Sequence, residues 1–175
     1  DDAKKELEYD IKEMTAMLNS YVSFVRGETP ETIENIQLNN LINNICQTLD
    51  KKKYEITESY SRKIDTSGRP LQIKRAIQNI FDNARRYASK IHVEVSANND
   101  ECFISISDNG PGIPEKNYED VFKPFFTLDP SRNKMKGESG LGMTISRDII
   151  RSHGGDIKLS PSSIGGLKTV INLPL

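Results

Sequence analysis

Between Lys90 and Ser107 the sequence reads KIHVEVSANNDECFISIS. Apolar and polar residues alternate on both sides of NNDE, the pattern of two half-buried antiparallel strands joined by a hairpin. This feature constrains the fold most, because the segments around it carry the helical period instead. PLQIKRAIQNIFDNARRYA (70–88) places Ile73, Ile77, Ile80, Phe81 and Ala84 down one face, with Pro70 where a helix N-terminus tolerates a missing N–H. LNNLINNICQTLDKK (38–52) repeats Leu38, Leu41/Ile42, Ile45 and Leu49 at helical spacing, and YEITESY (54–60) alternates as a strand. NYEDVFKPFF (117–126) reads as a short helix ended by Pro124, and LGMTISRDIIRSHGG (141–155) as a helix closed by Gly154-Gly155. DIKLS and LKTVINLPL are closing strands around PSSIGG. Hairpins mixed with helices predict a two-layer α/β (α+β) sandwich: a mixed sheet with helices on one face.

Residues 3–26 follow a different rule. Leu7, Ile11, Met14, Leu18, Tyr21 and Val25 fall at alternating steps of four and three, a narrow heptad stripe. Such a stripe needs partner helices, so residues 1–27 read as one helix of a bundle whose other members lie outside this chain. GETP (27–30) punctuates it; 28–37 reads as a linker and 38–175 as the main domain. The chain opens on Asp1 rather than Met and reads as a piece of something longer.

Composition removes several function classes. Lys and Arg number 24 against 25 Asp and Glu, which argues against nucleic acid as the principal partner. Cys46 and Cys102 both sit among apolar residues and read as buried thiols rather than a disulfide or a metal pair. No window approaches 18 apolar residues, so no membrane contact is expected from this stretch.

Several short motifs carry possible chemistry. GESGLG spaces Gly137, Gly140 and Gly142 as G-x-x-G-x-G, the reverse of the dinucleotide fingerprint, and no Lys-Ser/Thr follows as in a Walker A loop. What remains is a glycine-rich turn into a helix start at Leu141, an anion site or simply a helix start. Asn79 and Asn83 lie four apart on one helix face. They are either a solvated pair or carbonyl oxygens suited to a partly hydrated Mg²⁺. Arg86, one turn on, can reach phosphate oxygens, and Tyr87 offers a ring to a flat base. In DNGPGI (108–113) a strand ends at Asp108, which can accept from an exocyclic amine or merely make an Asx-turn. Gly110 and Gly112 beside it would let a flat ring approach the backbone.

In order within 65 residues stand NIFDNARRY, DNGPGIP, FKPFF and GESGLGM. Together they resemble the N, G1, F and G2 boxes of the catalytic, ATP-binding domain of sensor histidine kinases, in the wider group with gyrase B, Hsp90 and MutL. The resemblance covers residues 31–175, and PLQIKRAIQNIFDNARRYA with GGLKTVINLPL looks most like the EnvZ type. It implies a Bergerat-type fold preceded by a dimerising helical hairpin. It also implies ATP and Mg²⁺ as cofactors, with Asn83 on the metal and Asn79 assisting. Arg86 and Arg132 would face the phosphates and Tyr87 flank the base. Asp108 would bond the adenine amine above Gly110 and Gly112. Ser139, Gly140, Leu141, Gly142 and Met143 would cradle the phosphates. Phe122, Phe125 and Phe126 would anchor a lid over 127–139, whose polar composition suits a loop that orders on nucleotide. Ile113, Thr127, Leu128, Gly137 and Thr169 complete the nucleotide's surroundings in this reading.

Three functions then compete. Hydrolysing members of that group carry a Glu where Asn79 stands; an amide cannot take a proton from water. Transfer to a supplied nucleophile is favoured, and a nucleotide-binding regulatory module or ATPase of the same group is the alternative; a serine kinase of that group would lack the heptad helix before residue 27. The acceptor would be a histidine, yet only His92 and His153 are present, one within a strand and one where a cation suits a helix C-terminus. Both read as structural, so the chain is not expected to phosphorylate itself. The implied partners are ATP or ADP, the missing bundle helix and a second subunit, and a response-regulator receiver domain. The implied setting is the cytoplasmic part of a bacterial kinase anchored in the inner membrane.

Overall fold

The computed structural model describes residues 31–49, 53–128 and 140–175, with Ile11 and Thr15 besides. The heptad helix therefore lies outside the described residues, apart from those two, which are helical.

Among the described residues from Glu31 on, seven strands and three α-helices follow one another: β1 (Glu34–Gln37), α1 (Leu38–Gln47), β2 (Glu55–Tyr60), β3 (Asp65–Gly68), α2 (Pro70–Tyr87), β4 (Lys90–Ala97), β5 (Glu101–Asp108), α3 (Gly142–Ser152), β6 (Asp156–Pro161) and β7 (Leu167–Pro174). β2, β4, β5, β7 and β6 form one sheet in that order; β2 pairs parallel to β4 and every other pair is antiparallel. The sheet is mixed, as expected.

Period-two alternation decides which face meets the helices. Val95, Ile104, Ile171 and Ile157 lie in register across four strands and are all buried. Against this face pack Leu38, Ile42 and Ile45 of α1, Ile73, Ile77, Ile80 and Phe81 of α2, and Ile145, Ile149 and Ile150 of α3. α2 and α3 approach closely where Ser146 Oγ donates to Ala76 O at 3.0 Å and Gly142 O at 2.8 Å. Cys46 and Cys102 are buried free thiols.

Two expectations change. Residues 34–37, assigned to the linker, pair as β1 with β3, adding this stretch to the folded unit. The segment 117–126 is not an α-helix but two 3-10 turns, Glu115–Asn117 and Asp120–Phe122. Pro124 leaves the second turn no continuing N–H, and the chain extends at Lys123. His153, read as structural, has partners on both ring nitrogens. Its Nε2 accepts from Arg69 N–H at 3.1 Å and its Nδ1 lies 2.7 Å from Ile149 O, so the ring links the start of α2 to the end of α3. His92 meets Thr57 Oγ1 through Nδ1 at 2.7 Å.

The start of α2 has a further partner. Its Ncap Arg69 makes no side-chain capping bond; instead the carboxylate of Glu31 accepts from the N–H groups of Leu71 and Gln72. Glu31 thereby supplies the missing cap from 40 residues away.

Candidate functional site

Asp108 ends β5 on the same face as Cys102, Ile104 and Ile106, so its side chain turns toward the helices rather than solvent. It is 7% exposed. Oδ1 accepts from Gly110 N–H at 2.7 Å and from Leu167 N–H at 3.2 Å. Burial pushes the Asp108 carboxyl above the ordinary range, while these two N–H groups pull it back. Among the described residues nothing bonds Oδ2.

The turn after Asp108 is fixed from two sides. Asn109 Oδ1 accepts from Ser89 N–H at 3.0 Å and Lys90 N–H at 2.9 Å, pinning the turn to the end of α2. A Cβ at Gly110 would sit 3.1 Å from Tyr87 O and 3.0 Å from Asp108 Oδ1. A Cβ at Gly112, whose φ is +69°, would face Gly166 O at 3.4 Å. The sequence alone suggests that these glycines make room for a ligand ring. The structure gives a prior reason: their missing side chains admit the protein's own backbone. Ile113 follows, partly buried against the core.

Asn79 and Asn83 are half-buried on α2. Asn79 Nδ2 donates to Gly142 O at 3.3 Å, so the first helical residue of α3 rests against α2. Arg86 and Tyr87 lie exposed in the last turn of α2. Leu141, the α3 Ncap, is 2% exposed and its carbonyl accepts from Ile145 N–H, which anchors the helix start; Met143 packs partly against the core.

Phe125 and Gly140 both have φ of +63°, and Phe125 N–H donates to Gly140 O at 3.1 Å. A Cβ on Gly140 would fall 2.9 Å from Phe125 Cα. Phe125 and Gly140 are therefore held against each other by a direct backbone contact. Phe122 is buried, Phe126 partly so, and Phe125 is 59% exposed. Thr127 and Leu128 begin the loop, half-buried and exposed respectively. Arg132, Gly137 and Ser139 lie outside the described residues. Thr169 is buried in β7 opposite Ile106.

Sequence reasoning missed Arg147. It is 11% exposed on α3, bonds Asp156 Oδ1 at 3.0 Å and Glu119 Oε2 at 2.6 Å, and stacks 4.3 Å above the Phe122 ring. The guanidinium ties the Phe122 turn to α3 and β6. Burial works to raise the Asp156 carboxyl, but bonds from Arg151 and Arg147 outweigh it and hold the acid well below the ordinary range. Asn109, Gly166 and Leu167 were missed as well, since each looks like ordinary turn material in one dimension.

The mixed five-stranded sheet carries its helices on one face, and Asp108 at the end of an inner strand turns toward them. Residues 68–175 match the family described as histidine kinase-, DNA gyrase B- and HSP90-like ATPase, and the chain belongs to it. It is 30% identical to the sensor histidine kinase GtrS of Pseudomonas aeruginosa over 168 residues, covering 94% of this chain and 34% of that protein. It is 30% identical to the sensor histidine kinase CpxA of Escherichia coli K12 over 181 residues, covering 97% of this chain and 39% of that protein. The chain thus spans little more than a third of these relatives. Among solved structures, a mycobacterial sensor histidine kinase, MprB, superposes with a TM-score of 0.71 at 23% identity, covering 82% of this chain and 97% of that one. Full-length ShkA in complex with AMPPNP superposes with a TM-score of 0.77 at 17% identity, covering 92% and 35%. The similarity is to sensor histidine kinases at large and does not single out the EnvZ type.

Proposed function

We propose that this chain binds ATP with Mg²⁺ and serves as the phosphoryl-donating part of a sensor histidine kinase. The γ-phosphoryl group passes to a histidine on a dimerisation bundle and from there to an aspartate of a receiver domain. The observation that carries this reading is Asp108: a buried carboxylate with one oxygen saturated by backbone N–H groups and the other without a partner among the described residues. Such an acceptor suits an exocyclic amine and leaves a costly unpaired charge with a base that lacks one.

The remaining roles follow from chemistry. Asn79 commits its amide nitrogen to Gly142 O, which leaves its carbonyl oxygen for a hard cation. Asn83, one turn further on, offers a second such oxygen, and two neutral oxygens fit a Mg²⁺ that keeps most of its waters. When bound, that ion would neutralise charge on the phosphates. Arg86 and Arg132 are assigned to phosphate oxygens, Tyr87 to the base, and Gly140, Leu141, Gly142 and Met143 to the phosphate cradle. An amide at Asn79 supports transfer over hydrolysis, because it offers water no base.

His92 and His153 are committed to Thr57, Ile149 and Arg69, which supports an acceptor histidine outside this chain. No helix among the described residues is long and apolar enough to cross a membrane. The homodimer, the receiver-domain partner and an inner-membrane anchor belong to the whole protein in this reading.

The test is calorimetric titration with ATP and ADP, with and without Mg²⁺, followed by labelled ATP and a separately supplied histidine-bearing bundle domain. Mg²⁺-dependent ATP binding and label on the bundle alone are expected. Stable label on this chain by itself, or no nucleotide binding, sinks the reading.

A further inference from the structure

Gly166 closes the β6–β7 hairpin, where Ser162 N–H donates to Gly166 O at 2.9 Å. A turn glycine in such a place needs no further reason. Its surroundings supply one. Gly166 N–H donates to Asp108 O at 3.0 Å, and the next N–H, that of Leu167, donates to Asp108 Oδ1 at 3.2 Å. Two consecutive amides, Gly166 just before β7 and Leu167 at its start, therefore clasp the backbone and the side chain of one residue at the end of β5.

The space around Gly166 is filled by that same residue and its turn. A Cβ there would fall 2.2 Å from Asp108 Oδ1, 2.5 Å from Gly110 N and 2.6 Å from Asp108 O. A carboxylate could swing aside; the two backbone atoms could not, so any side chain at 166 must displace the whole corner. On its other side Gly166 O faces Gly112. Oδ1 has two lone pairs and both are taken, by Gly110 and Leu167. The carboxyl plane is thereby fixed, and Oδ2 becomes the oxygen left to meet a base.

Resting on the reading of Asp108 as the base acceptor, we infer that Gly166, together with the Leu167 N–H, is a positioning element that sets selectivity for a purine bearing an exocyclic amine. It touches no ligand itself. It holds the acceptor at one angle, and a carboxylate free to rotate would gain less from that amine.

Three variants of the chain decide the matter: Asp108→Ala, Gly166→Ala, and Leu167 replaced by its α-hydroxy acid, which deletes one N–H and adds no bulk. Each is titrated with ATP and with purine riboside triphosphate, which lacks the amine, and the ratio of the two affinities is read. A residue that merely kept the domain folded would weaken both ligands together and leave the ratio unmoved. We expect Gly166→Ala to cut the ratio about tenfold and the ester variant several-fold, as fits one charge-assisted hydrogen bond misaligned or loosened. Should Gly166→Ala fail to fold, the ester variant carries the decision. If Asp108→Ala collapses the ratio while a folded Gly166→Ala or the ester variant does not, this inference is overturned and the base reading stands. If Asp108→Ala leaves the ratio unchanged, the base reading falls and takes this inference with it.

Discussion

Asp108 stands at the end of a strand in the middle of the sheet, 7% exposed, its Oδ1 held by two backbone N–H groups that come from the following turn and from β7. Asn79 and Asn83 stand on a helix flank, half-buried, and Asn79 Nδ2 donates to Gly142 O at 3.3 Å. In the proposed reading the base end of the site is held by backbone and has little freedom, whereas the phosphate end presents the side chains of Asn79 and Asn83. An acceptor that must refuse the wrong base benefits from rigidity, whereas groups that follow a metal and a moving phosphoryl benefit from adjustability. In that reading, selectivity and transfer rest on different mechanical supports.

The largest expected effect tests the rigid end. Asp108→Ala removes the acceptor and should weaken ATP binding about a hundredfold, the scale of a lost hydrogen bond to a charged group in a desolvated place. Titration with ATP·Mg²⁺ measures it; a loss below tenfold would mean that the base is not gripped here. Asn83→Ala tests the other end. Removing one neutral oxygen from a mostly hydrated ion should cost about tenfold, and only when Mg²⁺ is present. An equal loss in Mg²⁺-free buffer would show that Asn83 acts on the nucleotide directly.

Arg147→Ala asks whether the phosphate end is soft because of its helix or because of its loop. The guanidinium fixes α3 to Asp156 and to the Phe122 ring, so its loss should lower stability to chemical denaturation by about 1–2 kcal/mol. The Glu119 arm adds little, since that carboxylate is 77% exposed. ATP affinity in the folded variant should fall less than about threefold, because α3 still rests on α2 through Ser146 and Ala76. A larger fall would place the phosphate end's adaptability in α3 itself.

The same contrast explains what one dimension reveals. Wherever one local rule decides, the sequence is legible: Cys102, Ile104, Ile106 and Asp108 alternate, so a strand ending in a core-facing acid can be read directly. The stripe from Ile73 to Ala84 likewise announces α2. Features made by residues far apart leave no such mark. β1 and β3 are four residues each and form only because Glu34–Gln37 meets Asp65–Gly68. Glu31 caps α2 from 40 residues away, and Gly166 seats Asp108 across 58. FKPFF could be flagged as a motif, but not as 3-10 turns leading to a left-handed Phe125, because Gly140 is what that backbone leans on.

The smallest expected effect concerns the cost of the rigid end. Desolvation raises the Asp108 carboxyl pKa above its unfolded value, and the N–H groups of Gly110 and Leu167 only partly oppose it. A raised folded pKa means that this group's contribution to stability is fully present below the unfolded pKa and is lost as pH rises through the folded one. At neutral pH the ionised acid is therefore a net burden on the fold. Asp108→Asn keeps an oxygen for Gly110 and Leu167 N–H to donate to, and it never ionises. The variant should be more stable than the parent at pH 7, by on the order of 0.5–1 kcal/mol, as when a functional strain is relieved. Denaturant midpoints at pH 7 and again under acid should show that gain shrinking as the parent's own carboxyl takes up its proton. The Asn nitrogen would then face the base with a donor where an acceptor stood, so the stabilised protein should bind ATP worse. A variant less stable at pH 7 would mean that the N–H groups outweigh burial, and that the base end is rigid without being costly.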